Sequence, residues 1–354
     1  MKAWVLEDVG KFTLKEVPKP DASDGNVIVK VKAAGICGSD IQRVYENGAH
    51  KMPLIIGHEF SGQVENVGRN VSKDLIGKRV GIFPLIPCRQ CPSCLLKKYE
   101  MCTQYSYLGS RTDGGFAEYV SVPVWNLIAL PDEVSYEQAA MLEPMAVAVH
   151  AMRRIDIRQE ASVAVCGLGT IGQLLIMFLL ERGVKNVYAI GSKAVQRESV
   201  TALGLPEENF CDSSLVDVKD FINGKTESKG VEVFFECVGR NETVAQAIEV
   251  AAADGQICMV GNPYSDMMLN RDIYWKILRR QLRITGTWNS SYLGESDEEA
   301  PADDWHYVIR RLKEGHFIKP EKLITHRLSM EQLESGFEIM RDKKEPYIKI
   351  MMVV

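Results

Sequence analysis

Four cysteines fall within the fifteen residues from Cys88 to Cys102, at the spacing C-x2-C-x2-C-x7-C (Cys88, Cys91, Cys94, Cys102). Thiols packed so closely can be a disulfide knot, a redox pair or a metal site. The amino-terminal stretch "MKAWVLEDVGKF" is charged and alternating, unlike a signal sequence, so a cytoplasmic protein is expected. Reducing conditions disfavour disulfides there. Four thiolates at this spacing can wrap a tetrahedral zinc ion and close all its coordination positions. A closed site leaves no place for substrate, so this zinc is expected to be structural and the chemistry to lie elsewhere. The other cysteines (Cys37, Cys166, Cys211, Cys237, Cys258) stand singly and read mostly as small core residues.

A second chemical signal is "CGLGTIG", a G-x-G-x-x-G at Gly167, Gly169 and Gly172. Alone it is weak, but here it follows an apolar strand pattern and opens a helix. In that context the glycines allow a tight turn, and a pyrophosphate can sit on the helix N-terminus. Thr170 and Ile171 complete the expected cofactor-facing turn. NAD sites place an acidic side chain at the end of the next strand to hold the ribose hydroxyls. The segment "VYAIGSKAVQR" instead offers Gly191, Ser192 and Lys193, with Arg197 one turn later. No carboxylate repels a 2′-phosphate, and two cations and a hydroxyl can bind one, so NADP is favoured over NAD.

The elements that position these motifs read as an α/β chain. Up to about residue 145 the pattern is β-rich: "NVIVKVKAAGIC" alternates Val27, Val29 and Val31, and "GQVENVG", "KRVGIFP" and "GFAEYVSVP" are short strands. From 146 to 287 strands alternate with helices, which predicts a doubly wound parallel sheet. Residues 288–354 are mixed, with two helical stretches and a last strand "YIKIMMVV". That tail is too short to stand alone and is expected to return to the first domain. "GESDEEAPADD" reads as a solvated acidic loop.

Composition narrows the function. The 354 residues carry a formal charge of -5, and no basic stripe is present to neutralise phosphates of a nucleic acid. The most basic window, "WKILRRQLRI" near Arg279, reads as a packed helix running into a strand. The longest apolar run, Leu174 to Leu180, is far shorter than the roughly 20 residues of a membrane span. The remaining class is a metal- and nucleotide-using enzyme with a small-molecule substrate.

Together with the cysteine lobe and the nucleotide turn, "AAGICGSD" and "IIGHEFSG" resemble the zinc-dependent medium-chain dehydrogenase family along essentially the whole chain. The resemblance implies a GroES-like catalytic domain, a Rossmann domain and a C-terminal return. It implies a catalytic zinc on Cys37 and His58. "LEPMAVAVHA" resembles the polyol dehydrogenase branch, which implies Glu143 as the third protein ligand and Glu59 nearby, able to exchange onto the metal. Ser39 matches the first hydroxyl of a proton relay and Asp40 a carboxylate that orients His58. Gln42 stands where some relatives carry a relay histidine, which leaves water as the exit. Lys349 is implied as a cation reaching the cofactor pyrophosphate, Val238 and Gly261 as strand ends facing the nucleotide, and a homodimer along the Rossmann sheet edge near "LRITGTW".

For the substrate, Arg43 lies one turn past Cys37 and Arg111 sits in a Gly-rich loop. Arginine forks suit a phosphate dianion, which points to a polyol phosphate. Both arginines could instead pair with structural carboxylates. An unphosphorylated polyol or secondary alcohol, and a non-catalytic nucleotide-binding protein, are the competing readings.

Overall fold

The computed structural model describes residues 1–294, 303–315 and 318–354. The chain divides into two compact units, Met1–Ala146 with Ser290–Val354, and Val147–Asn289.

The core of the first unit is a mixed sheet in the order Leu127–Ala129, Arg79–Ile82, Glu59–Val67, Asn26–Gly35, Lys349–Val353, Ile324–Leu328, with Tyr119–Pro123 also pairing to Asn26–Gly35. Val27, Val29 and Val31 are buried as their alternation requires, and Ile28 on the other face is buried too. Both faces of that strand are therefore covered at its start. The last strand pairs antiparallel with Asn26–Gly35, Met351 opposite Gly35, which brings the end of the chain against the segment leading to Cys37. Trp4, Phe12 and Phe337 stack in the core, with ring centroids 4.9 and 4.7 Å apart along the series.

The second unit is an all-parallel six-stranded sheet. Its order is Phe210–Asp212, Asn186–Gly191, Ser162–Cys166, Val231–Glu236, Ala251–Met259, Arg283–Gly286. Numbered along the chain this is 3-2-1-4-5-6, the doubly wound nucleotide-binding order, with its switch point beside Ser162–Cys166. The helix Thr170–Glu181 contains the long apolar run, and every residue from Gly172 to Leu179 is buried. Among the described residues no helix is long and apolar enough to cross a membrane.

Two expectations are corrected. The helix Arg271–Arg279 does run into the strand Arg283–Gly286, but it buries none of its residues fully, and only Ile273 and Ile277 lean on the core. Most of the acidic stretch lies outside the described residues, and its end is not solvated. Asp303 is buried and accepts the N–H groups of His306 and Leu293, and buried Asp304 accepts the N–H and hydroxyl of Ser291.

Candidate active site and metal centres

The four cysteines of the lobe converge. Their sulfurs all lie within 4.8 Å of one another, and none is in a disulfide. Sulfurs around zinc at about 2.3 Å form a tetrahedron with edges of about 3.8 Å. The Cys88–Cys94 and Cys91–Cys102 separations are both 3.9 Å, so the donor set fits a closed tetrahedral zinc. Local backbone donors prepare the thiolates: the Cys88 N–H points at Cys102 Sγ at 3.3 Å, and N–H groups of Cys94 and Thr103 pull the Cys91 thiol down to about 6. Cys91 also N-caps the short helix Pro92–Leu95 that carries Cys94 inward.

A second convergence joins Cys37, His58 and Glu59, whose donor atoms also lie within 4.8 Å of one another. Cys37 leaves the strand Asn26–Gly35 and N-caps the short helix Gly38–Gln42. Asp40 on that helix is fully buried and accepts the Cys37 N–H at 3.0 Å and Arg43 Nη1 at 2.5 Å. His58 Nδ1 lies 3.4 Å from Asp40 Oδ1. Burial alone raises the Asp40 carboxyl, but His58 and Arg43 outweigh it and hold it below its ordinary value. With Nδ1 turned to Asp40, Nε2 of His58 is the nitrogen left for a metal.

His58 enters on a segment that only glycine allows. Gly57 has φ +97°, and a Cβ there would meet the Phe116 ring at 2.8 Å. Gly109 and Gly114 press on the same turn, each within 2.2 Å of Gly57 O if given a Cβ. "GSRTDGG" is therefore glycine-rich because its backbone packs on the backbone that presents His58.

Glu143, at the start of the helix Leu142–Arg153, stands apart from the three-donor set. Its Oε1 accepts the Tyr107 hydroxyl at 3.1 Å. Burial, and then neighbouring Glu59, push its carboxyl up to about 7, against the pull of His58, Tyr107 and Lys349. A buried carboxyl of this kind gains from a nearby cation, so the chemistry of Glu143 fits a metal held by Cys37 and His58.

Lys349, expected to reach the cofactor pyrophosphate, also has a partner at the metal site. It is only 2% exposed, and its ammonium donates to Ile36 O at 3.0 Å and to Glu59 in a close ion pair. Its strand pairs beside Gly35, where a Cβ would meet Glu59 Oε2 at 2.5 Å, so the glycine clears room for the pair.

A cleft of about 320 Å³ is lined by Ser39, two residues after Cys37 in the chain, and by Gln42, Arg43, Asn47 and His50. Arg43 is paired with Asp40, as one of the open readings required. Arg111 packs over the Tyr105 ring at 4.6 Å, and its buried Nε has no hydrogen-bond partner. Burial, then the charges of Arg111 and Arg43, hold the His50 imidazole below its ordinary value, which favours its neutral form and puts the two arginines in its neighbourhood. His50 and Tyr107 are additions. His50 could have been read from its nearness to Arg43 in sequence, whereas nothing local marks Tyr107.

In the second unit the glycine turn takes the expected form. Gly167 has φ +95° and would clash with Val238 at 2.6 Å if it had a Cβ, and Gly169 N-caps the helix that begins at Thr170 and Ile171. A Cβ on Gly172 would meet Gly167 O at 2.0 Å, so the helix packs directly on the turn. Gly261 lies against Val238 and Gly239. At the end of the second strand Lys193 N-caps the helix Ala194–Ala202 beside Ser192. Arg197 lies over the Phe210 ring and 3.7 Å from Asp212.

The alcohol dehydrogenase GroES-like domain family matches residues 23–132 and the zinc-binding dehydrogenase family residues 170–313. Galactitol 1-phosphate 5-dehydrogenase of Escherichia coli K12 is 34% identical over 333 residues, covering 94% of both chains. The chain belongs to the zinc-type medium-chain alcohol and polyol dehydrogenase family. L-idonate 5-dehydrogenase of Vitis vinifera is 31% identical, covering 96% of this chain and 90% of that one. Among solved structures, galactitol-1-phosphate dehydrogenase from E. coli superposes with a TM-score of 0.91 at 32% identity over the whole of both chains. A zinc-binding dehydrogenase from Sinorhizobium meliloti 1021 bound to NADP gives 0.88 at 27%, and rspB from E. coli CFT073 in complex with NADH gives 0.90 at 26%, each covering 100% of this chain and 99% of that one. As a member of this family, the protein is an oxidoreductase of the alcohol dehydrogenase type.

Proposed function

We propose that the protein interconverts a secondary alcohol of a polyol phosphate, galactitol 1-phosphate or a close analogue, and the corresponding ketose phosphate, with NADP as hydride carrier. The observation that carries this reading is the cleft lined by Ser39 and Arg43, which follow Cys37 closely in the chain. A polyol phosphate needs hydrogen-bonding groups and cations in one place. Ser39, Gln42, Asn47 and the imidazole of His50 supply the first, and Arg43 and neighbouring Arg111 the second. Arg43 spends one nitrogen on Asp40, but a guanidinium has five N–H donors, which leaves donors for a second anion. The similarity to galactitol 1-phosphate 5-dehydrogenase supports the same substrate class.

Cys37 and His58, with Glu143 as third ligand and Glu59 able to exchange, are the residues to hold the catalytic zinc, and Cys88, Cys91, Cys94 and Cys102 a structural one. A zinc ion held at the first site would supply Lewis acidity toward a substrate hydroxyl, and a bound nicotinamide would supply the hydride acceptor. The protein's own part is positional. Asp40 orients His58, and Lys349 neutralises Glu59 so that both glutamates can share the site. Ser39 lines the cleft and accepts the departing proton, and because Gln42 cannot carry it further, water takes it to solvent. Lys349 is assigned to the metal site. NADP is supported by the missing acid at Gly191, by Ser192, Lys193 and Arg197, and by the NADP-bound relative.

A homodimer, in the cytoplasm, completes the proposal. Among the described residues Arg283–Gly286 is an outer strand with no partner on its far side, and Trp275, Leu278, Ile284 and Trp288 are each more than 40% exposed. An apolar sheet edge of this kind calls for a partner strand.

The test compares initial rates of zinc-replete enzyme on galactitol 1-phosphate and on galactitol, each with NADP and NAD. Turnover confined to the phosphorylated substrate and faster with NADP supports the reading. Equal or better turnover of the free polyol favours an unphosphorylated substrate, the reading that the Arg43–Asp40 pair would then suit.

A further inference from the structure

The strand Asn186–Gly191 ends in a glycine whose backbone does not need one, since its φ lies outside the left-handed region. What Gly191 provides is room. A Cβ on it would sit 2.7 Å from Gln196 Oε1 and 2.8 Å from Leu168 Cδ1. Gln196, in the first turn of the helix Ala194–Ala202, is not free to swing away. Its Oε1 accepts the Ser192 N–H at 3.1 Å and its Nε2 donates to Leu168 O, inside the glycine turn, at 3.1 Å. Leu168 O also receives the amide of fully buried Gln173 at 3.1 Å, whose own oxygen accepts the Ser199 hydroxyl at 2.5 Å. From the other side Ser213 donates its N–H and its hydroxyl to Gly191 O, at 2.8 and 3.1 Å. The loop from Gly191 to Lys193 is thus braced on both flanks, and Gln196 alone ties it to the glycine turn among the hydrogen bonds just named.

We propose that Gln196 is a cofactor-positioning residue that sets nucleotide choice. Its amide fills the space a carboxylate side chain at position 191 would need, and it locks Ser192 and the glycine turn in the arrangement that receives a 2′-phosphate. The proposal rests on the NADP reading above. An acid at 191 would hold the ribose hydroxyls and repel the phosphate. The amide at 196 satisfies a backbone N–H while adding no charge, and the carboxylate of Asp212, in register with Gly191, lies 3.7 Å from Arg197. Position 191 and position 196 therefore cannot be changed independently.

The experiment is equilibrium binding of NADPH and NADH, by nicotinamide fluorescence, to wild type, Gln196→Ala, Gly191→Asp and the double variant. Gly191→Asp alone should lose NADPH affinity without gaining NADH affinity, because the new side chain and Gln196 contest one volume. The double variant should bind NADH at least about tenfold tighter than Gly191→Asp, the scale of one coupled contact. Gln196→Ala alone should weaken NADPH by about three- to tenfold, as expected for a lost bridging hydrogen bond. Gly191→Asp binding NADH as tightly as the double variant would overturn the proposal. Should Gly191→Asp fail to fold, undiminished NADPH affinity in Gln196→Ala overturns it instead. Wild type binding NADH more tightly than NADPH would overturn the NADP reading, and the coupling between 191 and 196 is still read from the same four proteins.

Discussion

Glu59 and Lys349 lie 290 residues apart in the chain and meet at the edge of the metal site, both almost fully buried. A buried ion pair is costly to break from one side, because the survivor is left charged without water. Lys349→Met should therefore destabilise the metal-free protein by about 3–5 kcal/mol. A urea midpoint for the first unit unchanged from wild type would contradict that assignment. The pair also shows what single residues reveal in a linear chain. Cys37, His58 and Glu59 stood out only through the resemblance of "AAGICGSD" and "IIGHEFSG" to the family, since alone each would read as a packed core residue. The partners that tune them are non-local: nothing near Lys349 names Glu59, and nothing near Tyr107 names Glu143. Arg43 is different. It sits three residues after Asp40 on one short helix, a spacing at which side chains meet, so its ion pair was legible.

At the level of elements, local rules carried the reading well. The glycine turn is recognisable because close backbone approach forbids every other residue, and the cysteine lobe because four thiols in one short loop have few other uses. Gly172→Ala tests the first: its Cβ would strike a backbone oxygen, which cannot move aside as a side chain can. NADPH affinity should fall by at least about tenfold as the helix is pushed off the turn. Unchanged affinity would mean that the contact is relieved without disturbing the nucleotide site. Cys91→Ser tests the second. Zinc measured by mass spectrometry should fall from two per chain to one, with residual turnover tracking the zinc that remains. Two zincs retained in this variant would show that the lobe does not hold one. The helix Arg271–Arg279 is where local rules misled. Alternating charge and apolar residues suggested a packed helix, and Ile273 and Ile277 do pack on the core, but Tyr274, Trp275 and Leu278 are left exposed.

For the molecule as a whole, the alternation of strands and helices led to the parallel sheet, and the short tail to a return, because a strand that cannot stand alone must pair with an existing sheet. Pairing of Lys349–Val353 with Asn26–Gly35 is that solution, and it is also what carries Lys349 to Glu59. Quaternary structure was the least accessible feature, since an exposed apolar edge shows only once the fold exists. If that edge is a dimer interface, wild type should elute at twice the 39.6 kDa chain mass, and Ile284→Arg, which places a charge on it, should elute as the single chain. A dimer that survives the substitution places the interface elsewhere.

The central claim is that alcohol oxidation depends on a metal held by Cys37 and His58, and not on the cysteine lobe. The most direct measurement is turnover by zinc-replete Cys37→Ser beside its NADPH affinity. Cofactor binding should stay within about twofold of wild type while turnover falls by at least about a thousandfold, the cost of losing the Lewis acid in one step. Turnover retained in that variant would contradict the account.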